Sequence, residues 1–359
     1  MLVYALLFLF AAFLYFKPNK ENDTFLFVVF VSVYAIVSGF RDMIGGFDVY
    51  VYGEVFEAPK EIVLSYKPFE KGFAFFFVIL KMLSDNRSFM FFMTALMMAM
   101  LHFRTIKNLS PMVYFSAFIF FCKFFLMSFV YLRQGLAMGI IWFAIPFVLD
   151  KKYLKFFVLV FIAYFFHKSA LVFIPLFFYG NSNIKNVQLL FFTFILSVIT
   201  LSPIGTEIAT FFSEESENQK LVLYTNKSSG INFFYLIEII FLTLLALNFR
   251  NEFYKTKETT VLFNGLIGYI VVVILGVTNA TYIRFSWYYL IFVVVTLPYM
   301  FTFINDNKKQ QTFKFLIFSY FGLLFFRLLI SYDGGDLLPY KSIFQDFERN
   351  GMWEFMEYR

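Results

Sequence analysis

The chain has 359 residues, 60% of them hydrophobic and 24% aromatic, against only 15% charged. A soluble domain of that length cannot hide so much apolar surface, so the composition excludes an ordinary globular protein and predicts an all-α, polytopic membrane protein. The net charge of +6 sits in short loops between apolar runs, which is the positive-inside pattern of a membrane protein and not a nucleic-acid footprint.

Apolar runs fall at 1–16, 24–40, 88–103, 111–127, 133–149, 153–166, 169–180, 187–203, 231–249, 260–277, 285–304 and 312–330. That makes about twelve segments, some of them too short to cross a bilayer alone at ~20 residues per crossing. The first run lacks a basic leader and reads as a membrane helix that is kept, not a cleaved signal. The stretch 71–83, bracketed by Lys71 and Lys81, is short enough to be an interfacial or re-entrant helix. The whole chain, 1–359, reads as a single transmembrane domain. The basic loops near 17–20, 104–107, 151–155, 250–257 and 308–314 belong inside. The outer side then collects loops 41–87 and 204–230 and the tail 331–359, with both termini outside. No internal repeat is visible, so an inverted-repeat transporter finds no support. The single cysteine, Cys122, cannot form an intrachain disulfide.

The stretch from Met127 to Gly180 carries two polar marks in an otherwise apolar setting. Arg133-Gln134 opens one hydrophobic run, and His167-Lys168-Ser169 interrupts the next. The basic loop Asp150-Lys151-Lys152 lies between them. A helix from Arg133 to Leu149 covers roughly 25 Å at about 1.5 Å per residue, and the return from Lys155 has climbed about 18 Å by His167. Arg133 and His167 therefore reach the same outer level. Taken singly, His167 is an ordinary core histidine; with Lys168 and Arg133 at its level it becomes a functional candidate, because ionisable groups at membrane depth are costly.

Further outer candidates follow the same logic. Arg41 and Asp42 end the second run, and Gly45-Gly46 lets the chain fold back so that Asp48 lies over the same mouth. Arg284 opens FSWYYL, where an aromatic belt is the plain alternative. The tail motif Tyr332-Asp333-Gly334 reads first as a turn. Arg41, Arg133, Arg284 and Lys168 all fall outside, against the positive-inside trend. Planar guanidinium groups match phosphate bidentately, which points to a diphosphate or other polyanionic ligand. No Walker A motif, zinc-type His/Cys cluster, DxD-like metal pair or nucleophile elbow occurs in the sequence. Neither cofactor nor metal is expected.

These residues have a familiar pattern. Tyr131-Leu132-Arg133-Gln134-Gly135-Leu136-Ala137, followed by Phe166-His167-Lys168-Ser169-Ala170, resembles the EpsG-like family of bacterial polysaccharide polymerases, which belong with the Wzy-type polymerases. Arg41-Asp42 with Asp48 and Tyr52, and Phe69-Glu70-Lys71-Gly72-Phe73, look like that family's first outer loop. The last motif usually has a proline where this chain has Lys71.

The resemblance implies a metal-independent glycosyltransferase of the bacterial inner membrane, built like the multi-spanning, lipid-donor (GT-C-like) enzymes and facing the periplasm. Such an enzyme moves a growing glycan from undecaprenyl diphosphate to a hydroxyl of an incoming lipid-linked repeat unit, in O-antigen or exopolysaccharide synthesis. A departing diphosphate needs preorganised cations, for which Arg133 and Arg284 come first and Arg41 and Lys168 second. The acceptor hydroxyl needs a base. His167 is the first choice because an unperturbed imidazole titrates near neutrality, with Asp48 and Asp42 behind it. Tyr50, Tyr52, Tyr332 and Asp333 are candidate glycan contacts. The expected partners are lipid-diphosphate glycans and the bilayer, with no nucleic acid; binding of a chain-length regulator is left open. The competing readings are a flippase for lipid-linked oligosaccharide and a membrane acyltransferase.

Overall fold

A computed structural model describes residues 1–17, 24–202, 232–331 and 337–345. The regular secondary structure of the described residues is all helical, apart from one isolated bridge between Arg41 and Ser342. Five helices are each long and apolar enough to cross a membrane: Arg87–Leu109, Phe233–Phe253, Lys257–Gly276, Arg284–Phe303 and Asn307–Ser331. The other apolar runs form shorter helices, among them Leu2–Phe16, Thr24–Gly39 and Val113–Phe124. The chain is an all-α, multi-pass membrane protein.

The helices divide into two compact units. The first holds 1–143, 161–170 and 297–359. Its helices α1 (Leu2–Phe16) and α2 (Thr24–Gly39) pack on α7 (Val113–Phe124) and α6 (Arg87–Leu109), and α6 also meets α8 (Leu132–Trp142). Close approach has a sequence cause. A Cβ on Gly39 would come within 2.8 Å of the Phe92 backbone, so only glycine lets α2 lie that near α6. His102 of α6, which its neighbour Arg104 suggests is interfacial, is in fact buried at 1% exposure. Its Nε2 lies 2.9 Å from Gly135 O, and its ring packs against Phe120, Phe124 and Trp142.

The stretch 41–87, expected to face outward, is not irregular. It folds into α3 (Phe47–Glu57), α4 (Lys60–Ser65) and α5 (Lys71–Lys81), the last being the short helix expected between the two lysines. An aromatic layer of Phe56, Phe69, Phe73 and Phe77 is buried beneath them. Charges pin its edges. Glu57 accepts from both Nε and Nη2 of Arg87 at 2.7 Å, and Lys81 Nζ reaches Phe56 O at 2.7 Å and Asp85 at 2.8 Å.

The second unit holds 144–160 and 171–296. The run 133–149 is not one helix: it breaks after Trp142 and resumes at α9 (Ile145–Leu149). Pro146 stands in the first turn of α9, where its missing N–H costs nothing. After α10 (Tyr153–Phe166) come a 3-10 segment (Lys168–Phe173) and α11 (Pro175–Tyr179). Helix α12 (Asn186–Leu201) and α13 (Phe233–Phe253) both pack on α14 (Lys257–Gly276). Asn264 of α14 ties the chain around it. Its amide nitrogen reaches the carbonyls of Tyr179, Gly180 and Ser182 at 3.1, 2.8 and 2.7 Å, and its oxygen accepts from Tyr254. Glu238 of α13 is 1% exposed and accepts from the Tyr269 hydroxyl at 2.6 Å.

Candidate functional site

The site is assembled by packing that begins well below it. Gly45 and Gly46 have φ of 123° and 93°, values L side chains rarely adopt, and they turn the chain into α3. Tyr52 of α3 is 4% exposed and lies against Phe69 and Phe73, each with a ring-centroid distance of 5.6 Å. Phe69, buried on the same layer, fixes where the next residue emerges. That residue is Glu70, the N-cap of α5. Carboxylates are favoured at helix N-termini, where unpaired N–H groups point outward.

Arg133 enters from the first turn of α8. Its Nη1 donates to Glu70 Oε2 and to Pro68 O, both at 2.7 Å, and its Nε donates to Tyr52 Oη at 3.2 Å. The guanidinium carbon stands 5.5 Å from the Phe69 ring centroid. Among the described residues, Nη2 meets no hydrogen-bond acceptor. The two side chains of the ion pair are 22% and 11% exposed. The result is a guanidinium held on one edge by protein groups, with its other edge unpaired among the described residues.

The His-Lys-Ser turn closes the site. Gly72 permits this: a Cβ there would sit 2.8 Å from both Cβ and O of Phe165, so glycine lets α5 touch the end of α10. Glu70 Oε1 then accepts the backbone N–H of Lys168 at 3.3 Å. His167 continues the end of α10 by donating its own N–H to Ala163 O at 2.9 Å. Its ring Nδ1 faces Ser169, 2.6 Å from Oγ and 3.3 Å from the backbone N. A backbone N–H can only donate. The lone pair of Nδ1 therefore points into the turn, and the neutral ring carries its proton on Nε2, an assignment that follows from these hydrogen bonds.

Of the residues singled out in the sequence, Arg133, His167, Lys168 and Tyr52 come together here. Asp48, exposed in the first turn of α3, acts on the same spot. Burial holds the Tyr52 hydroxyl above its ordinary range; Arg133 opposes this, while Asp48 and Glu70 add to it. Tyr52 serves Arg133, and Tyr50 is packed inside at 2% exposure, so neither ring is presented to a ligand on the surface. Arg41 is 1% exposed. It donates Nη1 to Ser38 O at 2.6 Å and Nη2 to Phe129 O, between the rings of Phe91 and Phe129 at 4.6 and 5.0 Å. Beside it, Asp42 N donates to Lys341 O at 2.9 Å. Arg41 and Asp42 thus clasp the returning tail to the end of α2. Arg284 begins a 3-10 segment (Arg284–Tyr289) of the second unit and is half-buried. Tyr332 and Asp333 lie outside the described residues.

Glu70 is the site member that reading the chain overlooked, although its motif Phe69-Glu70-Lys71-Gly72-Phe73 stood out. The signal was there: an acid directly before an apolar helix, on the side expected to face outward with Arg133.

The sequence profile of the EpsG family matches residues 24–342, a span that includes every described member of the site. The chain belongs to the EpsG family. Searches of curated proteins and of solved structures each returned no match.

Proposed function

With EpsG membership as the premise, we propose that this protein is a polymerase of polysaccharide biosynthesis that joins lipid-diphosphate-linked repeat units. One observation carries the proposal: Arg133, partly exposed, is oriented by Tyr52, Pro68 O and Glu70 beside the His167-Lys168-Ser169 turn, and its Nη2 meets no acceptor among the described residues. A pre-oriented cation of this kind suits the charge that develops on a departing diphosphate.

In this reading the donor is a glycan on undecaprenyl diphosphate. An acceptor hydroxyl gives up its proton to a base of the site and attacks the anomeric carbon, the bond to the diphosphate oxygen breaks, and Arg133 and Lys168 take the leaving group's charge. His167, with its proton on Nε2, donates to a phosphate oxygen or to the acceptor oxygen. Asp48 borders the glycan. The leaving group is already activated by its lipid diphosphate, so no metal or nucleotide is required. The outer loops face the periplasm of the inner membrane, on a single GT-C-like transmembrane domain of about twelve segments.

The test is polymerisation by purified protein in liposomes, given a lipid-diphosphate-linked repeat unit without ATP, added metal or ion gradient. A ladder of chain lengths supports the reading. Movement of the intact lipid-linked glycan across the bilayer, with no ladder, replaces it with a flippase.

A further inference from the structure

This inference rests on the transfer reaction just described. That reaction needs a group to receive the acceptor's proton, and the geometry leaves His167 poorly suited to it. The Nδ1 lone pair is turned onto Ser169, and Nε2 of the neutral ring already bears hydrogen. The carboxylate paired with Arg133 is Glu70, fixed at two points. One oxygen holds Arg133 Nη1 at 2.7 Å and the other holds Lys168 N at 3.3 Å.

We propose that Glu70 is the general base, and that Arg133 holds it idle until a lipid diphosphate arrives. A diphosphate and a carboxylate are both anions and compete for the same guanidinium. When the diphosphate takes Arg133, Oε2 of Glu70 loses its cation. Oε1 keeps its bond to Lys168 N, so the freed oxygen remains beside the reacting centre. Oε2 then accepts the proton of the acceptor hydroxyl. The hydroxyl oxygen forms its bond to the anomeric carbon, and that carbon's bond to the diphosphate oxygen breaks. The proton resides on Glu70 and the negative charge on the departing lipid diphosphate. The base becomes available only with a donor in place, so the site does not activate water when it is empty.

The experiment compares wild type, Glu70→Gln and Glu70→Asp in two measurements: binding of undecaprenyl diphosphate to the detergent-solubilised full chain, and growth of the polymer ladder. Glutamine has the same shape but a single acceptor oxygen, so it keeps only one of the two contacts, with Arg133 or with Lys168 N, and carries no charge. It is expected to bind the lipid diphosphate at least as tightly as wild type, since no charged competitor remains, while chain growth falls by about 100-fold or more, the usual share of a general base. Glu70→Asp keeps a proton acceptor on a shorter arm and is expected to grow chains faster than Glu70→Gln. Chain growth by Glu70→Gln within threefold of wild type would overturn the assignment. So would a parallel loss of lipid-diphosphate binding, which reduces Glu70 to a positioning residue for Arg133. Equal growth by the Asp and Gln variants overturns it as well, and settles the matter if Glu70→Gln is recovered poorly. Absence of any ladder from wild type removes the transfer reaction itself and is distinct from all three.

Discussion

Gly72→Ala is the sharpest probe of how the site is held. The added methyl would sit 2.8 Å from both Cβ and O of Phe165, and Phe165 O is backbone that cannot swing aside. Ordinary carbon contacts begin near ~3.5 Å, so α5 and the end of α10 must part by roughly 0.7 Å. Overpacking of this sort costs about 1–3 kcal/mol. The functional cost should be larger. Glu70 lies two residues before Gly72 and reaches Lys168, three residues beyond Phe165, through a bond already 3.3 Å long. Parting the helices breaks that bond and shifts the His167 turn away from Arg133. Misplacement by about 1 Å in such a constellation lowers rates by ~100-fold. The assay is the rate of ladder growth in liposomes beside a thermal melt. Gly322→Ala serves as the control, because its Cβ would meet only the tip of the Phe8 ring at 3.2 Å, which can turn; it should stay within about threefold of wild type. A Gly72→Ala enzyme that grows chains at the wild-type rate would refute the coupling of α5 to the His-Lys-Ser turn.

Arg133→Lys keeps the charge but cannot hold Tyr52, Pro68 and Glu70 while presenting a second edge, so chain growth should fall ~100-fold or more with the protein still in the membrane; near-normal growth would remove bidentate recognition. Arg41→Lys should behave oppositely. It loses one of two buried carbonyl contacts and the stacking between Phe91 and Phe129, lowering stability by about 1–3 kcal/mol in a melt, while the rate per folded molecule changes by less than about threefold; a large rate loss in stable protein would return Arg41 to the ligand site. Asn264→Ala strips the carbonyls of Tyr179, Gly180 and Ser182 of their shared donor and should destabilise the second unit by roughly 2–4 kcal/mol, read as a lower melting temperature or as protease cleavage within 171–296.

Membrane class, helical fold and the polar marks at Arg133 and His167 were legible in the sequence. Each follows from local facts: apolar runs that only helices can carry through lipid, and charges whose cost at membrane depth demands a reason. The glycine pair 45–46 was legible too, because backbone conformation is a property of the residue itself. What local reading could not supply was partnership. Arg41 and Arg133 look alike along the chain, each an arginine at the end of an apolar run on the side expected to face outward. Only the fold encloses the first between Phe91, Phe129 and two carbonyls and leaves the second with an open edge. Tyr50 and Tyr52 stand two residues apart on a loop expected to face outward, yet the aromatic layer beneath α3 and α5 draws both inside. Glu70 gained its place through contacts across 63 and 98 residues of chain, a separation that no motif spacing encodes. Composition and periodicity determined what this protein is made of and where it resides. Which of its charges meet was decided by tertiary packing, because burial and hydrogen-bond partnership are properties of the neighbours a side chain is folded against.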